Sequence, residues 1–141
     1  MFIGLVYADI ELINAEDTAV AERGFIDQSE IRRTKVSAMV DGGAYMLAIN
    51  EEIKLQLGLR VVDRKLAGLA DGTTIGLEVV GPIEIRFKNR KSITTAMVLP
   101  GNSEVLLGAI PMEDMDVIID PLRQELLVHP ERPYIPKMSL K

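Results

Sequence analysis

The chain has 141 residues, a formal charge of −5, one histidine and no cysteine. That length suits one domain with its own core. The composition excludes disulfide frameworks and cysteine-based or multi-histidine metal sites, and it disfavours histidine-dependent nucleophilic catalysis. The acidic balance, 4% aromatics and absence of tryptophan also argue against a nucleic-acid surface built on stacked bases.

The apolar start, Met1-Phe2-Ile3-Gly4-Leu5-Val6, has no basic leader and is soon interrupted by Asp9 and Glu11. It therefore reads as neither signal peptide nor membrane span and points to a cytoplasmic protein. Tyr7, Asp9 and Glu11 alternate with Ala8, Ile10 and Leu12, the period-2 pattern of a half-buried strand. A turn is expected at Asn14-Ala15-Glu16-Asp17 and a short helix over 19–23, inside an insertion reaching about Glu30. The next strand, 31–40, delivers its apolar end into Asp41-Gly42-Gly43-Ala44.

After this elbow comes an apolar run, 45–49, with Asn50 as helix cap, Glu51 and Glu52 in the first turn and Gly58 as terminator. Strands are expected over 60–70 and 74–80 around Asp71-Gly72, then over 82–87 and 93–99 around the basic tip Lys88-Asn89-Arg90-Lys91. A short buried strand, 105–107, ends in Gly108, and a helix from Pro111 runs through Met115. Strands at 117–119 and 125–128 precede a tail with three prolines, expected to be extended. Many short strands, glycine and proline turns and two or three short helices make a mainly β, closed β-barrel-like domain.

The pieces that carry chemistry are the two glycine elbows. An aspartate at such an elbow is held by backbone geometry, so its carboxylate is aimed. The ordered set Val40-Asp41-Gly42-Gly43-Ala44, Leu69-Ala70-Asp71-Gly72-Thr73 and Leu106-Leu107-Gly108-Ala109-Ile110-Pro111 resembles the retropepsin-like aspartic proteases, in particular their small bacterial members. The resemblance covers roughly residues 36–121. It implies an acid-protease fold over 1–128, followed by the proline-containing tail 129–141.

It further implies a homodimer that hydrolyses peptide bonds with Asp41 from each subunit and a water. One carboxylate acts as base on the water while the other, protonated, polarises the carbonyl. Gly42, Gly43 and Ala44 would support the elbow on its oxyanion side. Asp71, Gly72, Thr73, Thr74 and Ile75 would form a flap over a peptide or protein substrate, and Leu106, Leu107 and Gly108 the buried strand beside the elbow. The chemistry calls for no cofactor and no metal, and no nucleic acid or membrane partner is expected.

Two positions depart from the family pattern. Threonine or serine usually follows the catalytic aspartate, and its hydroxyl bonds across the dimer axis; here that residue is Gly42. Many members carry arginine after the Leu-Leu-Gly strand, paired with an acid beyond the first elbow. Here Ala109 and Tyr45-Met46 remove both ends, so no buried charge is left unpaired. A catalytically weak or inactive dimeric module that binds a peptide or protein is the alternative reading. Elsewhere, Asp71 alone reads as a turn residue. Glu113, Asp114 and Asp116 read as a solvated helix surface, the basic tip as a solvated hairpin, and Met39, Met46, Met97, Met112 and Met115 as core filler.

Overall fold

The computed structural model describes residues 5–140. β1 (Val6–Asn14) pairs antiparallel with β2 (Arg33–Val40), from Val6 opposite Val40 to Ile13 opposite Arg33. Val6, Ala8, Ile10 and Leu12 of β1 are buried while Tyr7 and Asp9 face out, as the alternation requires. Residues 1–4 of the expected first strand lie outside the described residues.

The expected turn at 14–17 is instead a direct passage from strand to helix. Asn14 ends β1 and caps α1 (Ala15–Glu22), its side chain accepting from the Asp17 N–H at 3.1 Å. The Asn14 amide also donates to the Leu57 carbonyl at 2.8 Å. A side chain satisfied from both sides can be buried, and this one starts the helix four residues earlier than its apolar pattern implies. Asp17 is buried too, gripped by the Arg32 guanidinium through two bonds of 2.9 and 3.0 Å. A 3-10 turn (Gln28–Glu30) leads into β2.

β3 (Leu47–Asn50) passes into α2 (Glu51–Leu57), capped by Asn50 and ended at Gly58 as expected. β4 (Arg60–Gly68) and β5 (Thr74–Phe87) form a hairpin. The two strands expected at 74–80 and 82–87 are one 14-residue strand. It continues through a cis Gly81-Pro82 bond, where the pairing with β6 (Arg90–Leu99) shifts register. Proline lacks a donor, and the ladder to β6 accommodates it with a register shift between Val80 and Ile83. Next come β7 (Leu106–Leu107), α3 (Ala109–Met115), β8 (Val117–Asp120) and β9 (Glu125–Val128).

The main sheet is mixed, with strand order β1-β2-β7-β3-β6-β5-β4. β5 is long enough to serve two neighbours on one edge: Thr74–Gly81 pairs with β4, and Ile83–Arg86 pairs with the end of β1. That second pairing closes six strands into a ring and leaves β4 outside it. Within, Leu12, Ala38, Leu47, Ile49, Val80, Ile83, Ile85, Ala96, Leu107 and Met115 form one apolar core. β8 and β9 make a separate two-stranded ribbon, and Leu126 of β9 is buried in the same core. Met112 and Met115 are buried as expected; Met39, Met46 and Met97 are only half-buried. Among the described residues no helix is long and apolar enough to cross a membrane.

Candidate active site

Three strands converge on Asp41. β2 runs parallel to β7, with Met39 opposite Leu106 and Val40 opposite Leu107. β7 in turn pairs antiparallel with β3 at Ala48 and Leu106. The chain therefore leaves β2, turns at Asp41-Gly42-Gly43-Ala44, and returns as β3 on the far side of β7. The second elbow is threaded between the two arms of the first.

The backbone ties are dense. The Met39 N–H donates to the Val105 carbonyl at 2.8 Å and the Asp41 N–H to the Leu107 carbonyl at 3.0 Å. The Ala109 N–H donates to the Ala44 carbonyl at 2.8 Å and the Ile110 N–H to the Tyr45 carbonyl at 2.9 Å. Gly108 lies so close to the first elbow that a Cβ there would sit 2.4 Å from the Met46 carbonyl oxygen and 2.7 Å from its nitrogen. Only glycine fits such a backbone crossing.

The Asp41 carboxylate is half-buried and is oriented by its own turn. Its Oδ1 accepts from the Gly43 N–H at 3.0 Å, and the Ala44 N–H donates to the Asp41 carbonyl at 3.1 Å. Gly42 and Gly43 are exposed, and so is Tyr45. A carboxylate emerging from the buried end of β2, where Ala38 and Leu107 are 0% exposed, is fixed in position yet reachable by a second molecule. Two further bonds brace the approach. The Asn50 amide donates to the Ser103 carbonyl at 3.1 Å. The Tyr7 hydroxyl donates to Glu104 Oε1 at 2.8 Å, which also raises the Tyr7 pKa above its ordinary value.

Asp71, Gly72, Thr73, Thr74 and Ile75 occupy the tip of the β4–β5 hairpin and the start of β5. Asp71 Oδ1 accepts from the Thr73 N–H at 2.9 Å and from the Thr73 hydroxyl at 2.6 Å. These bonds hold the Asp71 carboxyl below its usual range. Leu69 and Thr73 close the turn at 2.7 Å. The tip is exposed, and Leu66 beside it is 78% exposed. The fold thus brings residues 41–44 and 106–108 together, while 71–75 stand apart on a projecting hairpin tied to itself.

Three features escaped the sequence reading. The first is Arg90, which was expected at a solvated tip and is instead 2% exposed. β6 begins at Arg90, three residues earlier than the apolar run, so the turn is Lys88-Asn89 alone. The signal was available: Arg90 shares its period-2 phase with Ser92, Ala96 and Val98, all buried.

The second is Asp116, expected on a solvated helix surface. It receives Arg132 in a fork of 2.6 and 3.0 Å and the Lys137 N–H at 3.0 Å. The arginine drives the Asp116 carboxyl far below the usual carboxylate range. The third is the tail itself, which is docked rather than merely extended. The Asn89 amide donates to the Pro133 carbonyl at 2.8 Å, and Arg90 Nη2 donates to the Arg132 carbonyl. Sequence proximity gives no hint of either long-range pairing.

Among the described residues no group of three or more histidine, aspartate or glutamate side chains is arranged to hold a metal. Comparison with protein-family models and with curated proteins finds no match.

Proposed function

We propose that the chain is one subunit of a homodimeric, retropepsin-like aspartic endopeptidase. The observation that carries this reading is the interlocked pair of elbows. It holds one half-buried carboxylate, Asp41, rigidly at the end of a core strand, with exposed glycines beside it. One carboxylate cannot be both base and acid in a single step, so a second Asp41 from a twofold-related copy completes the pair. Such a pair shares a proton because two adjacent carboxylates resist double ionisation. The deprotonated member takes a proton from water, whose oxygen attacks the peptide carbonyl, and the protonated member donates to the carbonyl oxygen. The projecting β4–β5 hairpin supports the reading as a flap, with Thr73, Thr74 and Ile75 toward the peptide.

Gly42 favours a second reading, a catalytically weak or inactive dimeric module that binds a peptide or protein. It offers no hydroxyl to bridge the two elbows. The experiment combines sedimentation with cleavage of a mixed peptide library by the wild type, Asp41→Asn and Asp71→Asn. The protease reading expects a mass of twice 15.6 kDa and cleavage abolished only by Asp41→Asn. A strict monomer at high concentration would end both readings. A dimer that binds peptides but never cuts them would leave the second.

A further inference from the structure

We propose that the Asp41-Gly42 turn is a site of spontaneous covalent modification, at which Asp41 cyclises to a succinimide and reopens as isoaspartate. In ring closure the Gly42 backbone nitrogen attacks Asp41 Cγ of the protonated carboxyl group. The N–Cγ bond forms, a C–O bond breaks, and the hydroxyl departs with the amide proton as water. Water then opens the ring. Attack at Cγ restores aspartate. Attack at the Asp41 main-chain carbonyl carbon breaks its bond to the Gly42 nitrogen, so the chain now runs through the side-chain methylene. Water is the sole co-reactant.

The chemistry needs an unhindered nitrogen, an amide free to turn, and a carboxyl group that can take a proton. Two pairs meet the first condition, Asp41-Gly42 and Asp71-Gly72, because glycine has no Cβ to shield the nitrogen. The fold separates them on the other two. The Gly42 N–H has no hydrogen-bond partner among the described residues. Gly42 is exposed, and no atom lies within 4 Å of where its Cβ would stand. The Asp41 side chain reaches forward across this amide, since Oδ1 accepts from the Gly43 N–H at 3.0 Å. The tie on the Asp41-Gly42 peptide plane is the 3.1 Å bond from the Ala44 N–H to the Asp41 carbonyl.

Asp71-Gly72 is guarded at both reacting groups. The Gly72 N–H donates to the Leu69 carbonyl at 3.0 Å, inside a turn closed by the 2.7 Å bond from the Leu69 N–H to the Thr73 carbonyl. The Thr73 hydroxyl and N–H both donate to Asp71 Oδ1 and hold its carboxyl below the usual range. Less of it is therefore the protonated acid that an amide can attack. The sequence alone makes the two pairs equivalent; the hydrogen bonds choose Asp41. Isoaspartate lengthens the elbow by one main-chain atom and shifts the free carboxylate to the former main-chain carbon. The inference does not rest on the protease reading, since ring closure uses only this turn. Where that reading holds, each event removes one carboxylate of the pair.

The test ages the full chain in mildly acidic buffer, folded and in urea, and maps both pairs by peptide mass spectrometry. Loss of one water marks the succinimide, electron-transfer fragmentation separates isoaspartate from aspartate, and an isoaspartyl methyltransferase with a labelled methyl donor quantifies it. In urea the two pairs should age at similar rates. In the folded chain Asp41-Gly42 should age about tenfold faster than Asp71-Gly72, the ratio that little more than one hydrogen bond produces. Gly42→Val keeps Asp41 but shields the nitrogen with a branched Cβ, and should suppress ageing at Asp41 while leaving Asp71 unchanged. If that variant folds poorly, Gly42→Ala should still slow Asp41 severalfold. Equal rates at the two pairs in the folded chain, faster ageing at Asp71, no isoaspartate at Asp41, or Gly42 variants that age like the wild type would overturn the proposal. A monomer, or a chain that cuts no peptide, would count against the protease reading and leave these measurements untouched.

Discussion

Gly108→Ala is the sharpest test of how the candidate site is held. The added Cβ would meet three backbone atoms, the Met46 oxygen at 2.4 Å and the Met46 nitrogen and Tyr45 carbonyl carbon at 2.7 Å, where ordinary contact begins near 3.4 Å. None of the three can rotate aside as a side-chain end would. One elbow must therefore retreat by roughly 1 Å, in a region where the packing is close to crystalline density. Overpacking of this kind costs about 1–3 kcal/mol. The retreat also stretches the Ala109-to-Ala44 and Ile110-to-Tyr45 bonds, each contributing about 1 kcal/mol. The expected loss is about 2–5 kcal/mol, a fall in Tm of roughly 5–15 °C for a chain of this size.

Gly42→Ala is the internal control. No atom lies within 4 Å of a Cβ built there, and its φ falls outside the left-handed region. Alanine should stabilise it by about 0.4–1 kcal/mol by restricting the unfolded chain. Urea denaturation reads both, with unchanged m values confirming that the midpoint reports stability. Each variant should be measured at two protein concentrations, because assembly shifts the midpoint. If Gly108→Ala unfolds within 0.5 kcal/mol of the wild type, roughly the effect of a neutral surface change, the two elbows are not interlocked as described.

Gly42→Thr should also fold well, for the same two reasons. Under the protease reading its hydroxyl restores a bond between subunits, so sedimentation should show a tighter dimer and peptide cleavage should rise; a weakened dimer would count against a shared elbow axis. Asp116 carries the pH dependence of the tail. Its carboxyl is depressed in the folded state, first by Arg132 and then by the Lys137 N–H, so its contribution is complete above its unfolded value near 3.8 and is lost as pH falls through the folded one. Asp116→Asn should therefore lower stability at neutral pH and flatten its decline below about pH 4. Parallel pH profiles for variant and wild type would show that the fork with Arg132 contributes nothing.

What the sequence determined was local. Alternation in β1, the Asn50 cap with Gly58 as stop, the Asp71-Gly72 turn and the apolar runs into both elbows each depend on residues a few positions apart. Those patterns sufficed for a mainly β chain and put Asp41 forward as the candidate. Tertiary structure decided everything that required distant segments to meet. Asn14 starts a helix rather than a turn because Leu57 supplies an acceptor. β5 runs unbroken through Pro82 because β1 and β6 pair on its far half. Arg90 is buried because the tail, more than 40 residues on, lies over it, and Gly108 must be glycine because β7 is threaded between β2 and β3. Periodicity records which face of a strand is apolar, but not which partner covers it. Where a polar side chain is buried, the deciding term is the hydrogen bond waiting for it, and that partner is known only once the chain has closed on itself.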